Sequence, residues 1–442
     1  MNAEPTQIKF TIGAKIRNRR LQLGYSQQEL LASRYSEAYL SRVERDQLQP
    51  SKDFLAFLAA RLGVSVPELM TEVLVARPKV RKFARENVEL ELSNARGAIE
   101  NSQPEAAKVI LSKFEVEQLP TDLLGRYYTV LGQAEMGLKD YEAARLDLQR
   151  ALKMFEAEAK IPELEIEQVR YWLGLTYYYQ AKYWLAIEQH QQCLRAIRQG
   201  RINDAHFNLQ VHCKLAGENL SIGNSSQALE LYQQAVGLLQ ASNSENIVGL
   251  ATIYQGIGRV YLKLKDLTQS KLYLKQSADL YEQAEQLKAA SLVKAELGMA
   301  LLEQAEFEEA EILFKAALAL TTRAGESSLS GYNYIHLALL NYKQGNLAQA
   351  EDNAKAGVTL AKSTGELLLL GEAQAQLAEI KIGQNRFEEG IDLFEEALTN
   401  LQQANSNQHL NEVFFRYAGA LEKGDKLPEA IQMYRKAYQY KS

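Results

Sequence analysis

The sequence has few cysteines and prolines and no long apolar stretch. Its two cysteines, Cys193 and Cys213, are too few for a disulfide framework and fit a reducing compartment, while only eight prolines leave room for long helices. The longest aliphatic run, Leu367 to Leu370, falls well short of the ~20 residues that span a membrane, and no signal-peptide core follows Met1. We therefore expect a cytoplasmic protein without a membrane partner.

Motifs that bind phosphates, metals or acyl groups are also missing. The chain contains no GxxxxGK(S/T) loop, no HExxH helix, no paired CxxC and no GxSxG turn. The five histidines are scattered, and His212 with its neighbour Cys213 lacks a second pair at ligand spacing. We expect no metal, no cofactor and no enzymatic activity.

Length and charge indicate more than one functional part. A chain of 442 residues predicts two or more domains or a repeat array, and 46% hydrophobic residues are enough for an extended core. The net charge of −5 is unevenly distributed. Lys and Arg outnumber Asp and Glu by 15 to 9 in residues 1–88, whereas the remainder has 35 against 46. A basic head precedes an acidic body.

The stretch from Ser26 to Asp46 predicts two short helices joined by a tight turn. Ser26 and Glu29 form a capping box, so a helix begins at Gln27, and Ser36 caps the next helix. In that second helix the inward positions are Tyr39, Leu40 and Val43. The outward positions are Glu37, Ala38, Ser41, Arg42 and Arg45. A polar, arginine-bearing outer face suits the major groove of DNA.

Three further helices are predicted around this pair. The first runs from about Lys9 to Leu23, with Ile12, Ile16 and Leu23 on one side and Gly24 as its stop. The fourth follows Pro50-Ser51 and ends at Gly63; its inward residues are Phe54, Leu55, Leu58 and Leu62. A capping box of Ser65 and Glu68 opens the fifth.

These five helices resemble the helix-turn-helix domain of XRE (lambda repressor-like) transcription regulators over residues 12–69. The matching segments are IGAKIRNRR at 12–20, LGYSQQEL at 23–30, YLSRVER at 39–45, Pro50-Ser51 and LGVSVPEL at 62–69. The resemblance implies that the chain binds double-stranded DNA and that Arg20 and Glu44 form a buried ion pair. The DNA contacts that it implies come from Gln27, Glu37, Ala38, Ser41, Arg42 and Arg45. The turn between the two central helices departs from the family, since it is one residue shorter and lacks a glycine.

Residues 71–88 predict a linker between residues 1–70 and residues 89–442. They hold five Lys or Arg against two Glu and are interrupted by Pro78. A solvated hinge is one interpretation, and contact with DNA phosphates is the other. The basic residues concerned are Arg77, Lys79, Arg81, Lys82 and Arg85.

From about residue 89 the chain repeats a triplet of small residues, the second twelve positions after the first and the third seven positions later. The first members follow one another at 42, 42, 42, 40, 40, 40 and 40 residues, and a weaker unit, Ala95/Ala107, precedes them. The triplets are Gly132/Ala144/Ala151, Gly174/Ala186/Cys193, Ala216/Ala228/Ala235, Gly258/Ser270/Ser277, Gly298/Ala310/Ala317, Ala338/Ala350/Gly357, Ala378/Gly390/Ala397 and Ala418/Ala430/Ala437.

This spacing resembles the tetratricopeptide repeat (TPR), in which small residues mark the crossing points of paired antiparallel helices. The resemblance implies an all-α protein: a five-helix helix-turn-helix domain followed by a right-handed TPR superhelix of eight to nine helical hairpins. In a TPR the first helix of each hairpin lines a concave groove. Offsets from the first small residues then assign groove positions to Arg126, Gln133, Tyr171, Tyr178, Gln210, Gln255, Arg259, Lys263, Tyr332, His336, Tyr342 and Lys343.

These groove residues have two interpretations. Amides and tyrosines bind an extended peptide, and Arg259 with Lys263, one turn apart, suits a carboxylate. Alternatively, they are ordinary helix-surface residues. The first interpretation predicts that the peptide binds at hairpins four to eight, counting the weaker unit as the first.

An XRE head joined to a TPR body resembles the RRNPP family of bacterial regulators, which bind signalling peptides in the TPR groove during quorum sensing. The resemblance implies a DNA-binding transcription regulator that senses a peptide or a protein partner. The alternative is a TPR interaction scaffold with an accessory or non-functional DNA-binding head. We also expect a homodimer, because single helix-turn-helix units pair on DNA half-sites. For the last hairpin we predict a partly uncovered patch at Met433, Tyr434, Tyr438 and Tyr440.

Overall fold

The computed structural model describes residues 7–9, 11–23, 25–31, 35–44, 48–70, 74–76, 85–116, 119–158, 160–241 and 246–440. The chain divides into two compact units, Met1–Val88 and Glu89–Ser442. Within the described ranges, none of the helices is long and apolar enough to cross a membrane.

The first unit contains five short helices and one small β-ribbon in its described part. The helices are α1 (Ile12–Gln22), α2 (Gln27–Leu31), α3 (Glu37–Glu44), α4 (Lys52–Leu62) and α5 (Val66–Met70). The strands β1 (Gln7–Lys9) and β2 (Leu74–Ala76) pair antiparallel, with Ile8 opposite Val75. The helices agree with the predicted five-helix domain, and the ribbon is an addition to it.

Local sequence signals set the helix boundaries. The Ser26 hydroxyl accepts from the Glu29 amide at 3.1 Å, and the Glu29 carboxylate accepts from the Ser26 amide at 2.7 Å, which completes the capping box. Ser65 and Glu68 repeat this arrangement before α5. Gly63 ends α4 in the left-handed conformation, with φ of 64°.

The core of the first unit is formed by side chains from all five of its helices. Its fully buried members include Ile16 from α1, Leu30 from α2, Leu40 from α3 and Phe54 from α4, and Leu69 of α5 is 4% exposed. Burying these side chains is the main stabilising contribution in so small a unit.

The structure corrects three details of the predicted first unit. The first helix starts at Ile12 rather than Lys9, because Lys9 belongs to β1. Leu23 is 42% exposed, so it does not join Ile16 in the core. The predicted linker includes β2, whose backbone hydrogen-bonds to β1. Gly24, the turn residues 32–34 and Pro78 lie outside the described residues.

The second unit is an array of paired helices, nine pairs in its described part. The weaker first pair is α6 (Arg85–Glu100) and α7 (Pro104–Leu111). The other first helices are α8 (Thr121–Gly137), α10 (Glu163–Tyr179), α12 (Ala205–Ser221), α14 (Ile247–Lys263), α16 (Leu287–Glu303), α18 (Ser327–Lys343), α20 (Leu367–Gly383) and α22 (Asn407–Lys423). Their partners are α9 (Tyr141–Ala157), α11 (Tyr183–Arg198), α13 (Ser225–Ala241), α15 (Leu267–Gln283), α17 (Phe307–Arg323), α19 (Leu347–Thr364), α21 (Phe387–Gln403) and α23 (Leu427–Gln439).

The small-residue triplets lie where the helices cross. In every complete hairpin the first member is on the first helix, the other two are on the second, and all three are buried. A Cβ atom added at Gly298 would approach the Phe314 ring to 2.6 Å, and one at Gly132 would approach Leu148 to 2.7 Å. Small side chains are therefore needed at these positions because larger ones would push the helices apart.

The turn inside each hairpin has the same backbone geometry. Seven positions after the first small residue, the chain adopts a positive φ between 56° and 82° in all eight complete hairpins. Glycine occupies this position only at Gly223 and Gly345, while Ala181 and Ala305 adopt the same conformation with a side chain. The fold therefore imposes a left-handed turn residue even where the sequence does not provide glycine.

The first helices pack against the helices that precede and follow them in the array. Each complete hairpin's first helix packs against its own partner and, from α10 onward, against the second helix of the preceding hairpin. Neighbouring first helices, such as α18 with α20 and α12 with α14, also contact each other. All of the predicted groove positions lie on these first helices.

We predict that Gly298→Ala destabilises the array while Gly237→Ala does not. The new methyl group at position 298 meets the fully buried Phe314, which costs about 1–3 kcal/mol through overpacking. Gly237 lies mid-helix in α13 with nothing within 4 Å of an added Cβ, so alanine there stabilises by up to about 1 kcal/mol. Urea denaturation midpoints of the full chain measure both effects. A Gly298→Ala midpoint equal to or above the parent's would contradict the packing argument.

Candidate DNA-binding helix and ligand cleft

In the first unit, α3 is fixed by a buried ion pair. The Arg20 guanidinium donates to the two Glu44 carboxylate oxygens at 2.7 and 3.0 Å, and its remaining Nη donates to the Tyr25 carbonyl at 2.8 Å. The Gln27 amide also donates to Glu44, at 2.7 Å. The Glu44 carboxylate of α3 therefore connects α1 and α2, and Arg20 also connects α1 to the segment before α2. The Arg20–Glu44 pair implied by the XRE resemblance is present.

The inner side of α3 packs on aromatic side chains. Leu40 and Val43 are buried, and the Tyr39 ring meets Phe54 edge to face at 4.7 Å between centroids. Tyr35 meets the same Phe54 ring at 4.7 Å from the other direction. The Tyr39 hydroxyl accepts from the Ser51 amide at 3.3 Å. These contacts hold the helix from behind and leave its opposite face outward.

The outer face of α3 carries the predicted DNA contacts that the structure describes. Glu37 and Arg42 are exposed, and Ser41 is half-buried. Gln27 is half-buried as well, and its amide nitrogen donates a hydrogen bond to Glu44. The Ala38 side chain and the whole of Arg45 lie outside the described residues. So do the linker residues Arg77, Lys79, Arg81 and Lys82, while Arg85 is the first residue of α6.

In the second unit, two adjoining clefts run along the first helices. One, of about 620 Å³, is lined mainly by α6, α8, α10 and α12. The other, of about 510 Å³, is lined mainly by α10, α12 and α14. Tyr171, Leu175, His206, Gln210 and Lys214 belong to both, so the clefts are continuous.

Seven of the twelve predicted groove residues line these clefts. They are Arg126, Gln133, Tyr171, Tyr178, Gln210, Gln255 and Arg259. The other five are not among the lining residues of either cleft: Lys263, Tyr332, His336, Tyr342 and Lys343. The clefts occupy hairpins one to five, which is nearer the amino terminus than the predicted hairpins four to eight.

The structure does not bring Arg259 and Lys263 of the predicted carboxylate site into one cleft. The Arg259 guanidinium donates to Glu296 at 2.6 Å, and Gln255 donates to the same carboxylate at 3.2 Å. Lys263 is exposed and lines neither cleft. Arg126 is likewise paired, with two 2.8 Å hydrogen bonds to Glu165. The arginines are neutralised by neighbouring first helices, so they offer no unpaired anion site.

Burial also keeps His336 and Cys213 uncharged near pH 7. His336 packs on Phe314 with ring centroids 5.2 Å apart, and burial lowers its pKa to about 4. It is therefore neutral near pH 7. Burial raises the pKa of Cys213 to about 11, which keeps its thiol protonated. Among the described residues no group of three His, Cys, Asp or Glu side chains is arranged to hold a metal ion.

A buried histidine and glutamate behind the second cleft were not predicted. The His190 Nδ1 lies 2.6 Å from Glu218 Oε1, and its Nε2 lies 3.0 Å from the Tyr171 carbonyl oxygen. His190 is fully buried and Glu218 is 1% exposed, yet Glu218 lines the cleft. An alignment of the repeats by their small residues would have found both, since the other complete hairpins have uncharged residues at these two positions.

Family models match parts of both units. A helix-turn-helix model matches residues 16–69. A tetratricopeptide repeat model matches residues 125–158 and 251–287. The first match covers most of α1 to α5, and the other two each cover one hairpin of the array.

Other proteins are similar to a large part of this chain. Protein KINESIN LIGHT CHAIN-RELATED 2 of Arabidopsis thaliana is 22% identical over 320 residues, 70% of this chain and 48% of that protein. This chain therefore spans about half the length of that relative. The crystal structure of the apo form of RapI has a TM-score of 0.58 at 14% identity, covering 80% of this chain and 97% of that one. The apo form of the quorum sensor NprR from B. thuringiensis has a TM-score of 0.52 at 14% identity, covering 80% and 99%. At these identities the structural likeness establishes the fold.

We predict that Arg20→Ala loosens the first unit while Arg17→Ala does not. Removing one partner of a buried ion pair leaves the other charge uncompensated and costs about 3–5 kcal/mol. Arg17 lies on the same helix with an exposed side chain, so its removal changes stability by about 0.5 kcal/mol or less. Hydrogen–deuterium exchange over residues 12–70 of the full chain measures both. Equal protection in Arg20→Ala and the parent would contradict the role of the pair.

Proposed function

Given a chain that joins an XRE-type helix-turn-helix domain to a TPR array, we propose that this protein is a sequence-specific transcription regulator. Its first unit binds double-stranded DNA, and its array binds a peptide or a flexible segment of a protein partner. The observation that carries the proposal is α3, a helix locked by the Arg20–Glu44 pair that presents Arg42 to solvent.

The geometry of α3 supports base recognition. An arginine on a rigid helix can donate two parallel hydrogen bonds to guanine O6 and N7 in the major groove. Ser41 and Glu37 on the same face provide an adaptable hydroxyl and an acceptor for cytosine N4. Residues 1–88 carry 15 Lys or Arg against 9 Asp or Glu, which provides attraction to phosphates. Affinity thus comes from the domain as a whole, and specificity comes from the outer face of α3.

The continuous cleft supports binding of an extended chain. Tyr171 and Tyr178 offer aromatic surface, and Gln133 and Gln210 offer amides that can bond a peptide backbone. The two volumes, about 620 and 510 Å³, are of the size that holds a drug-sized ligand or a short peptide segment. Regulation requires that this ligand bind one conformation of the protein more tightly than another.

The kinesin light chain-related proteins support a second candidate, a TPR interaction scaffold with an accessory or non-functional DNA-binding head. The two candidates differ in whether α3 reads bases. An interaction scaffold has no need of a specific duplex, whereas a regulator selects one from a random pool.

We predict that the full chain selects a defined duplex from random-sequence DNA and that Arg42→Ala loses this selectivity. Loss of one bidentate contact costs about 1–3 kcal/mol of discrimination against the wrong base. Fluorescence anisotropy at fixed salt, with the selected duplex and a scrambled one, measures the discrimination. No enrichment of any sequence by the parent protein would favour the scaffold.

Arg42→Lys is the matched variant for this experiment. It keeps the positive charge but loses the planar fork that bonds two acceptors at once. A base contact therefore predicts reduced discrimination in both variants, while a phosphate contact predicts that Arg42→Lys retains it. Unchanged discrimination in Arg42→Ala would remove Arg42 from the interface.

We also infer a homodimer, because helix-turn-helix units pair on half-sites about one turn of DNA apart. On α23, Tyr438, Ile431 and Leu427 are 63%, 52% and 57% exposed, which leaves an apolar surface at the last hairpin. The other residues predicted for this patch are half-buried, so they are less exposed than these three: Met433, Tyr434 and Tyr440. The last hairpin is therefore our proposed dimer contact.

Sedimentation equilibrium at micromolar concentration tests the dimer. We expect a dimer for the parent and a monomer for Ile431→Glu, because the substitution places a charge in the proposed contact. Ile312→Glu on α17, where the parent side chain is 67% exposed, serves as the control and stays dimeric. A monomeric parent would contradict the inference.

A further inference from the structure

His190 and Glu218 interrupt the repeat pattern of the array. His190 stands sixteen positions after Gly174, a place that other hairpins fill with apolar residues such as Leu148, Phe314 and Phe394. Glu218 stands two positions after Ala216, where the other complete hairpins have Ala134, Thr176, Val260, Ala300, Leu340, Ile380 and Ala420. Packing of the hairpins therefore does not require a histidine or a carboxylate at either place, since the other complete hairpins form without them.

The fold makes room for the pair. A Cβ atom at position 174 would lie 2.6 Å from the His190 ring, so Gly174 is what admits the imidazole between α10 and α11. From there His190 reaches Glu218 of α12 at 2.6 Å. The histidine thus stands behind the glutamate, on the side away from the cleft that Glu218 lines.

Hydrogen-bond directions restrict the protons of the pair. The Tyr171 carbonyl can only accept, so His190 Nε2 carries a proton and donates to it at 3.0 Å. One further proton lies between His190 Nδ1 and Glu218 Oε1. The pair is either neutral histidine with protonated glutamate or imidazolium with carboxylate, and its net charge is zero in both states. Burial raises the pKa of Glu218, and the hydrogen bond to His190 opposes that rise.

The second oxygen of Glu218 has no hydrogen-bond partner within the part of the chain that the structure describes, although it is fully buried. Buried carboxylate oxygens are normally satisfied, so an unsatisfied one on a cleft wall indicates a missing partner. Tyr171, Tyr178 and Tyr232 line the same cleft, and their ring faces are favourable to cations. Lys214, one turn earlier on α12, is exposed.

We propose that Glu218 is the anchor for a positively charged nitrogen of the ligand, either a peptide α-amine or the side chain of a lysine or arginine. This assignment rests on the proposed peptide-binding function and specifies its chemistry. The ligand nitrogen donates to Glu218 Oε2 and lies among the cleft tyrosines. His190 acts as a positioning residue, because it holds Oε1 from behind and does not touch the ligand.

The pair adapts to the ligand without exchanging protons with solvent. When the cation binds at Oε2, the shared proton rests on His190 Nδ1 and Glu218 is a full carboxylate. When the cleft is empty, the same proton can return to Glu218 Oε1, so that no uncompensated charge stays buried. Only the O–H and N–H bonds along the 2.6 Å hydrogen bond change, and the total charge of the pair is constant.

Pools of heptapeptides test the assignment on the full-length protein. The pools carry randomised uncharged residues and differ in one feature: N-acetylated with one fixed lysine, N-acetylated with norleucine in its place, N-acetylated with glutamate, or norleucine with a free amine. Norleucine keeps the carbon stem of lysine and lacks the charge. We expect the lysine or the free-amine pool to bind at least about tenfold more tightly than the acetylated norleucine pool. The preferred pool tells which source provides the nitrogen.

Two variants connect the preference to the pair. Glu218→Gln keeps the shape and removes the charge, and we expect the preference to fall to about twofold or less. The double variant His190→Phe, Glu218→Ala places at both positions residues that other hairpins contain, so the array folds, and it also loses the preference. Glu230→Gln on the outer helix α13, where the parent side chain is exposed, removes a charge elsewhere and keeps the preference.

The outcomes separate this assignment from the proposed function. Binding without charge preference, or a preference that survives Glu218→Gln or the double variant in folded protein, overturns the assignment and leaves peptide binding intact. Absence of binding to every pool contradicts the peptide-binding function and the assignment together. A preference lost in both variants and kept in Glu230→Gln supports the anchor.

Discussion

The close approach of paired helices is the constraint on which the array depends. Three small side chains per hairpin allow it, and at Gly298 even one methyl group would collide with Phe314. Because the crossing points are fixed, the left-handed turn residue falls at the same offset in every complete hairpin, whether it is Gly223 or Ala305. The same packing places successive first helices side by side, and that layer forms the walls of the clefts.

Charge within the array connects neighbouring first helices. Arg126 bonds to Glu165 at 2.8 Å, Arg259 to Glu296 at 2.6 Å, and Arg416 to Glu379 at 2.7 Å, each reaching from one hairpin to an adjacent one. Such partly exposed pairs contribute little stability individually. The first two pairs neutralise Arg126 and Arg259, which line the clefts. The buried Glu218 with its unsatisfied oxygen is then the distinctive polar feature of the second cleft.

Both units use a buried polar group to position a functional surface. In the first, Glu44 gathers Arg20 and Gln27 and thereby orients α3, whose exposed Arg42 is the proposed reader of bases. In the second, His190 holds Glu218 at the cleft wall. Removing one partner of such a buried polar pair is costly, because the other partner stays buried without compensation. Each therefore has a physical reason to exist that packing alone does not provide.

The sequence alone determined the helices, their caps, the small-residue crossings and the first-helix lining of the groove, because these follow from local periodicity and from a repeat that occurs many times. Seven of the twelve residues that it predicted for a groove line the two clefts. Tertiary structure decided the rest. Lys9 belongs to a strand that pairs with residues 74–76. Arg259 donates a hydrogen bond to Glu296, and His190 is hydrogen-bonded to Glu218, 28 residues away. Each of these outcomes depends on a partner from another hairpin or from a distant strand, and local pattern carries no information about such a partner.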